Sequence, residues 1–122
     1  MLGRLLGNAG AVSGEAIQRD FGRLLADNEQ VYAGFKVIRD TWIFTDRRLI
    51  LVDVQGMTGR KKEYLSIPYS KITMYSVETT GTFDLDAELK LWIGSNPQPI
   101  EKKFNKSVDV YAVQGLLTQF VK

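Results

Sequence analysis

The sequence predicts a mainly β domain with helical ends. Seven short antiparallel strands form a strongly bent sheet or open barrel, an N-terminal helix precedes them, and a C-terminal helix plugs the end that strands alone leave uncovered. Three observations predict this. The hydrophobic period is helical before Val31, close to two between Val31 and Phe104, and helical again after Asn105. The middle stretch is rich in β-branched and aromatic residues set in short runs between turn residues. A chain of 122 residues that is 44% hydrophobic and 25% charged has the size and composition of one globular core.

Taken in order, Leu2, Leu5, Leu6 and Ala9 fall at helical spacing but are interrupted by Gly3, Gly7 and Gly10, which makes a weak helix. Ser13 is placed to cap a second helix over about 14–26, with Glu15 in its first turn and Ile17, Phe21, Leu24 and Leu25 on its apolar face. Strands are expected at about 31–38, 41–45, 48–54, 63–67, 72–79, 83–93 and 98–104, with a loop from Gly56 to Lys62. The clearest is FDLDAELKLWI, where Phe83, Leu85, Ala87, Leu89, Leu91 and Ile93 share one face while Asp84, Asp86, Glu88 and Lys90 share the other. Finally Ser107 is placed to cap a helix over about 107–121, with Asp109 in its first turn and an apolar stripe of Val110, Val113, Leu117, Phe120 and Val121. The chain thus divides into an N-terminal helical segment, 1–30, and a strand region closed by a helix, 31–122, within one domain.

Composition excludes most catalytic chemistry. There is no Cys and no His, which removes disulfides, thiol nucleophiles, Cys/His zinc sites, the serine, histidine and aspartate triad and histidine acid–base catalysis. Net charge is only +2, too mild for a polybasic nucleic-acid binder. The charge is blocked along the chain: residues 1–31 carry −1, 32–62 carry +4, 63–89 carry −4 and 90–122 carry +3. The bland reading is that these blocks are solvated strand faces lying beside one another. The N-terminus is too short and broken for a signal peptide and no stretch approaches the ~20 apolar residues of a membrane span, so a cytoplasmic location is expected.

The run FTDRRLILVDVQGMTGRKKEYLSIPYSKITMYSVETTGTFDLDAELKLWI, residues 44–93, resembles the bacterial pleckstrin-homology-like family of uncharacterised single-domain proteins. Its most specific pieces are Phe44 to Ile50, Gln55-Gly56, Ser66-Ile67-Pro68-Tyr69 and Phe83 to Leu89, and with weaker matches the likeness extends over about 14–122, leaving 1–13 outside it. The resemblance implies seven bent strands closed by a C-terminal helix, and no activity. Similarity to eukaryotic pleckstrin-homology domains would suggest an inositol phosphate headgroup held by Lys and Arg on the first two strands. Here only Lys36 and Arg39 flank a tight connection, so that site is not reproduced.

Among candidate sites, Gly56-Met57-Thr58-Gly59-Arg60-Lys61-Lys62 joins two glycines to three cations, a phosphate-friendly combination whose plainer reading is a solvated hairpin loop. Lys36, Arg39, Arg60, Lys61 and Lys62 are the candidate contacts for anionic lipid or a phosphate ligand, although cations at ~1 kcal/mol each attract a membrane only weakly without an anchor. Asp84, Asp86 and Glu88 project from one strand face about 7 Å apart by the ~3.3 Å rise per residue, too linear to wrap a metal and without the facing geometry of glycoside chemistry. Trp42, Tyr64, Tyr69, Tyr75, Trp92 and Tyr111 read mostly as core or rim aromatics, since the face that would carry stacked bases carries acids. Ser66, Thr45 and Thr58 have hydroxyls but no base in a recognisable pattern. No catalytic residue, cofactor or metal is expected. The leading expectation is a non-catalytic binding and assembly module that associates with itself, in a homo-oligomer such as a closed ring, or with another cytoplasmic protein. Asp84, Asp86, Glu88, Leu2, Leu5 and Leu6 are its candidate interface. The alternative is a peripheral anionic-lipid or phosphate-ligand module.

Overall fold

The computed structural model describes residues 11–37, 39–79, 87–104 and 108–121. The weak helix over Leu2 to Ala9, the stretch Phe83 to Asp86 and the proposed cap Ser107 lie outside these residues. Helix α1, Gly14–Phe21, starts where capping places it: the Ser13 side chain accepts a hydrogen bond from the Ala16 amide at 3.1 Å. It does not continue to residue 26. At Gly22, a poor helix former, the chain tightens into a 3-10 turn, Gly22–Leu24. Phe21 and Leu24 are three apart, a spacing that shares a face in either helix type, so the apolar pattern could not tell the two apart.

Seven strands follow: β1 Val31–Val37, β2 Asp40–Thr45, β3 Arg48–Gln55, β4 Lys61–Pro68, β5 Ile72–Thr79, β6 Ala87–Ile93 and β7 Ile100–Phe104, then helix α2, Val110–Phe120. All strand pairs are antiparallel. The expected barrel is corrected in one respect. Among the described residues the strands form two sheets, β1-β2-β3-β4 and β5-β6-β7, and the sheet is not closed. Pro68 and the 3-10 turn Tyr69–Lys71 separate β4 from β5, taking the chain out of ladder geometry at that seam.

Three boundaries also differ. Lys61 and Lys62 belong to β4, opposite Gln55 and Val54, so the β3–β4 loop is shorter than the sequence suggested. Two solvated lysines carry no period-two signal. β7 begins at Ile100, after Pro99, which has no amide to donate. In α2 the cap is Asp109, whose carboxylate accepts from the amides of Tyr111 at 3.0 Å and Ala112 at 3.3 Å.

The centre of the four-stranded sheet, β2 and the first half of β3, is covered on both faces, which explains why β2 is buried at nearly every position. Ala33, Phe35, Trp42, Phe44, Leu49, Leu51 and Ile67 face the second sheet and α2 in the main core, together with Leu89, Leu91 and Phe104. Val113, Leu116 and Leu117 of α2 are fully buried there, each contributing ~1.5–3 kcal/mol of burial. Leu116 was outside the expected stripe, while Phe120 is only half-buried: its ring stacks on Tyr69 at 4.9 Å and meets Tyr32 at 5.0 Å. The opposite face carries Ile43, Ile50 and Val52, covered by Ile17, Phe21, Leu24 and Leu25 of the N-terminal segment. Ahead of α1, the Val12 amide donates to the Gly34 carbonyl at 2.8 Å and Ala11 bridges Phe35, so the outer edge of β1 is occupied.

Gly34 makes the helix–sheet contact possible. A Cβ there would lie 2.4 Å from Cδ1 of Ile17, which is itself 0% exposed and has nowhere to move. Gly34→Ala is therefore expected to cost about 1–3 kcal/mol in urea unfolding, with part of the loss recovered by adding Ile17→Val, which removes the clashing methyl. Identical midpoints for the wild type and Gly34→Ala would contradict this packing.

Candidate functional site

The turn between β1 and β2, the end of β3 and strand β7 enclose a cleft of about 260 Å³. Its centre is Lys102. The inward alternation of Trp42 and Phe44 on β2 and of Leu49 and Leu51 on β3 would place apolar side chains at positions 40 and 53, but these are Asp40 and Asp53. Lys102 Nζ lies 3.7 Å from Asp40 Oδ2 and 3.9 Å from Asp53 Oδ1. Asp40 also accepts from the Val54 amide at 2.9 Å, and Asp53 accepts from Gln55 Nε2 at 3.0 Å. The Gln55 hydrogen bond, aided by the Lys102 charge, holds the Asp53 carboxyl below its ordinary range. Arg39, Lys102 and Lys103 share the cleft with Asp40, Asp53 and Glu101, so its formal charge balances. A polyanionic headgroup entering here would meet two carboxylates that already hold the central cation. The sequence reading missed Asp40, Asp53 and Lys102 because they lie on three separate strands. The available signal was a pair of acids at inward positions of otherwise apolar strands.

The cations singled out from sequence are exposed, and the structure brings them together only in part. Arg39 Nη2 donates to the Gly56 carbonyl at 2.5 Å, tying the β1–β2 turn to the loop that carries Met57 and Arg60. Gly56 and Gly59 adopt φ of +77° and +71°, the left-handed region that this tight loop needs and that glycine supplies without strain. Lys36 stands on β1 opposite Thr41. Lys61 and Lys62 point from β4, a strand whose only buried residue is Ile67. Of the interface candidates, Glu88 is half-buried on β6 between Glu78 and Lys103 in register, while Leu2, Leu5, Leu6, Asp84 and Asp86 lie outside the described residues.

The hydroxyls have structural partners. Thr45 Oγ1 donates to Glu29 Oε2 at 2.7 Å, Ser66 accepts from Arg48 Nη1 at 2.7 Å, and Thr58 accepts from the Arg60 amide at 3.4 Å. Of the aromatics, Trp42 and Tyr69 are buried and Tyr75 and Trp92 half-buried, so most are core or rim as expected, whereas Tyr64 at 46% and Tyr111 at 68% stand in solvent.

The largest exposed apolar side chains the sequence reading did not single out as surface are Met57, Leu65 and Met74. Leu65 and Tyr64 lie on β4 and Met74 on β5, the two strands that flank the open seam. Neither outer edge is paired among the described residues, and each therefore presents unpaired amides and carbonyls.

This arrangement of two antiparallel sheets closed by a C-terminal helix is matched among solved structures. A pleckstrin homology domain from Shewanella amazonensis SB2B superposes with a TM-score of 0.85 at 42% identity, covering 99% of this chain and 98% of that one. A DUF1696 family protein with a pleckstrin-homology domain from Shewanella loihica PV-4 gives 0.82 at 46% identity, over 95% of this chain and 99% of that one. The sequence model of the bacterial PH domain matches residues 1–121. The chain belongs to the bacterial PH domain family. The match begins at Met1, which corrects the expectation that the likeness starts near residue 14. Two relatives in Bacillus subtilis (strain 168) agree: uncharacterized protein YjqA is 50% identical over 114 residues, 93% of this chain and 91% of its own length, and uncharacterized protein YozO is 32% identical over 96 residues, 79% of this chain and 82% of its own. PH domains are generally non-catalytic.

In this bacterial PH domain the N-terminal segment is tied down by an ion pair between buried Glu29 and partly buried Arg48. Arg48 donates from Nε to Glu29 Oε2 and from Nη2 to Glu29 Oε1, both at 2.9 Å, and Glu29 also accepts from the Ala26 amide at 2.9 Å. The Arg48 hydrogen bond outweighs burial and holds the Glu29 carboxyl down at about 2 from an ordinary value of 4.5. A carboxylate whose folded pKa is depressed contributes stability that is fully present above its unfolded pKa and is lost as pH falls through the folded one. The loss is therefore expected between about pH 4.5 and pH 2, on the order of 3 kcal/mol from this group. Urea midpoints measured across that window should fall less steeply in Glu29→Gln than in the wild type, whereas parallel slopes would assign the acid sensitivity to other groups.

Proposed function

We propose that this domain is a non-catalytic assembly module that associates head to tail with copies of itself through the open edges of β4 and β5. The observation that carries the reading is the unclosed seam: the outer edges of β4 and β5 are both unpaired among the described residues, and exposed Tyr64, Leu65 and Met74 stand beside them. β4 of one copy and β5 of the next are unlike edges, so their contact is heterologous and generates a ring when its rotation closes. Charge selects the direction. Antiparallel pairing brings the start of β4, Lys61 and Lys62, beside the end of β5, Glu78, whereas parallel pairing separates them. The blocked charge of the sequence thereby acquires a role.

Light scattering at micromolar concentration and moderate salt is the test, with a multiple of 13.8 kDa expected and a mass of 13.8 kDa overturning the reading. Each exposed ion pair is worth up to ~1 kcal/mol, so Lys61→Glu with Lys62→Glu should weaken association roughly tenfold, and adding Glu78→Lys should restore part of it.

One observation favours a second reading, a peripheral membrane contact. Met57, at the tip of the β3–β4 loop, is 102% exposed and is followed by Arg60, Lys61 and Lys62, an apolar tip with a basic collar. Sedimentation with vesicles of phosphatidylcholine and phosphatidylserine at low salt would show binding that falls in Met57→Asp. No pelleting at low salt removes this reading.

A further inference from the structure

Beside the β4 edge lies a second cleft, of about 260 Å³, between the inward face of β4 and the β6–β7 turn, with Leu65, Ile67, Ile93 and Ile100 among its walls. It is smaller than the ~300–1,000 Å³ of small-molecule sites and is the size of a side chain's berth. Leu65, which lines it, stands opposite Leu51 in the ladder yet is 38% exposed. What can cover Leu65 is set by the hydrogen-bonding phase of the two open edges. Along an antiparallel strand the amide and carbonyl of one residue point to one neighbouring strand and those of the next residue to the other. The Val54 amide donates to Asp40 of β2, so Val54 and Val52 are turned toward β2 while Asp53 and Leu51 are turned toward β4. Their partners Glu63 and Leu65 are thereby bonded inward, and the amides and carbonyls of Lys62 and Tyr64 are open on the outer edge among the described residues. Pro68 falls in the same outward series, where its missing amide costs no ladder bond. On β6 the Gly94 amide donates to the Lys71 carbonyl and the Trp92 carbonyl accepts from Thr73, so Trp92, Lys90 and Glu88 are turned toward β5. Their partners Met74, Ser76 and Glu78 are bonded inward, and Tyr75, Val77 and Thr79 offer the open groups of β5.

Two such edges join only where open residues stand opposite open residues, which restricts the antiparallel registers of β4 on β5. Two of these registers overlap most of both strands. One adds a bonded pair between Ser66 and Tyr75 but sets Glu63 directly against Glu78 and Leu65 against Ser76. The other, shifted by two residues, sets Lys61 against Glu78 and Leu65 against Met74, with Lys62–Val77 and Tyr64–Tyr75 as the hydrogen-bonded pairs. Opposite charges and matched apolar side chains select the second, because an extra edge bond replaces bonds to water whereas like charges face to face repel. Resting on the assembly reading above, we propose that β4 of one copy pairs with β5 of the next in this register, and that Met74 of the next copy packs on Leu65 and fills the cleft. Met74 is 53% exposed and available. Tyr75 and Val77 pack against the main core, so Met74 stands on the outer face of β5, and the inward face of β4 continues into that outer face across the contact. Leu65 and Met74 are then a non-hydrogen-bonded pair, the kind with Cα atoms ~4.5 Å apart and side chains close together. Methionine, unbranched and flexible, suits an irregular gap between isoleucines.

The chain has no cysteine, so introduced pairs report without background. Ser76→Cys is placed in one tagged chain and Glu63→Cys in a differently tagged one, a directly opposed pair that leaves Lys61, Leu65, Met74 and Glu78 intact. After mixing and oxidation, a disulfide joining the two tags is expected. Leu65→Cys with Ser76→Cys, directly opposed in the rejected register and diagonal at ~7–8 Å in the proposed one, should give none. By light scattering Met74→Asp should weaken association roughly tenfold or more, and Met74→Leu should retain it, with the circular dichroism of both unchanged. Association indifferent to Met74→Asp, or a multiple of 13.8 kDa without the Glu63→Cys cross-link, overturns the register and leaves the assembly reading standing. A disulfide closing within a single chain that carries Gly7→Cys and Gln98→Cys assigns the cleft to the chain's own N-terminus and overturns the docking of Met74. A mass of 13.8 kDa for the unaltered protein overturns both readings.

Discussion

Arg48 holds together segments that are otherwise distant in sequence. Its guanidinium grips Glu29 with two hydrogen bonds at 2.9 Å, reaches the Leu24 carbonyl at 2.5 Å and donates to Ser66 at 2.7 Å. The 3-10 turn after α1, the loop into β1, strand β3 and strand β4 thus meet at one side chain. Around it, Thr45 supplies Glu29 with a further donor, and Asn28, at φ +65°, turns the chain so that Glu29 faces inward. A buried ion pair stabilises only when its remaining hydrogen-bonding capacity is met, and here the backbone and hydroxyls meet it.

That junction determines what the four-stranded sheet can be. With α1 held over Ile43, Ile50 and Val52, and α2 with the second sheet over the other face, nearly every residue of β2 is buried. The outer edge of β1 is also taken, by Ala11 and Val12. The open backbone of that sheet is left at β4, where Pro68 and the following 3-10 turn prevent pairing with β5. The same geometry that completes the core on one side leaves the seam on the other.

The polar cleft shows how a shared fold departs from a shared recognition mode. Its cations are matched by Asp40, Asp53 and Glu101, and Lys102 is held between two of these acids. The positive field that would draw a phosphorylated headgroup is cancelled locally, over distances far shorter than the ~8 Å screening length of physiological salt.

What the sequence alone determined is local or periodic. Ser13 capping α1, the alternation of Leu89 and Leu91 against Glu88 and Lys90, and the absence of Cys and His depend on a residue and its near neighbours, and so did the resemblance carried by Phe44 to Ile50. Tertiary structure decided the rest, because it depends on which residues distant in the chain come together. Glu29 and Arg48 look like two more surface charges until the loop folds one onto the other, and Gly34 looks like a weak point in a strand until Ile17 is seated on it. Lys61 and Lys62 read as a loop because pairing with Gln55 and Val54 leaves no mark in a solvated strand. The split between β4 and β5 was likewise invisible, since seven strands at regular spacing are equally consistent with a closed barrel, and the path of the backbone through Pro68 and Tyr69–Lys71 leaves the facing edges of β4 and β5 unpaired among the described residues.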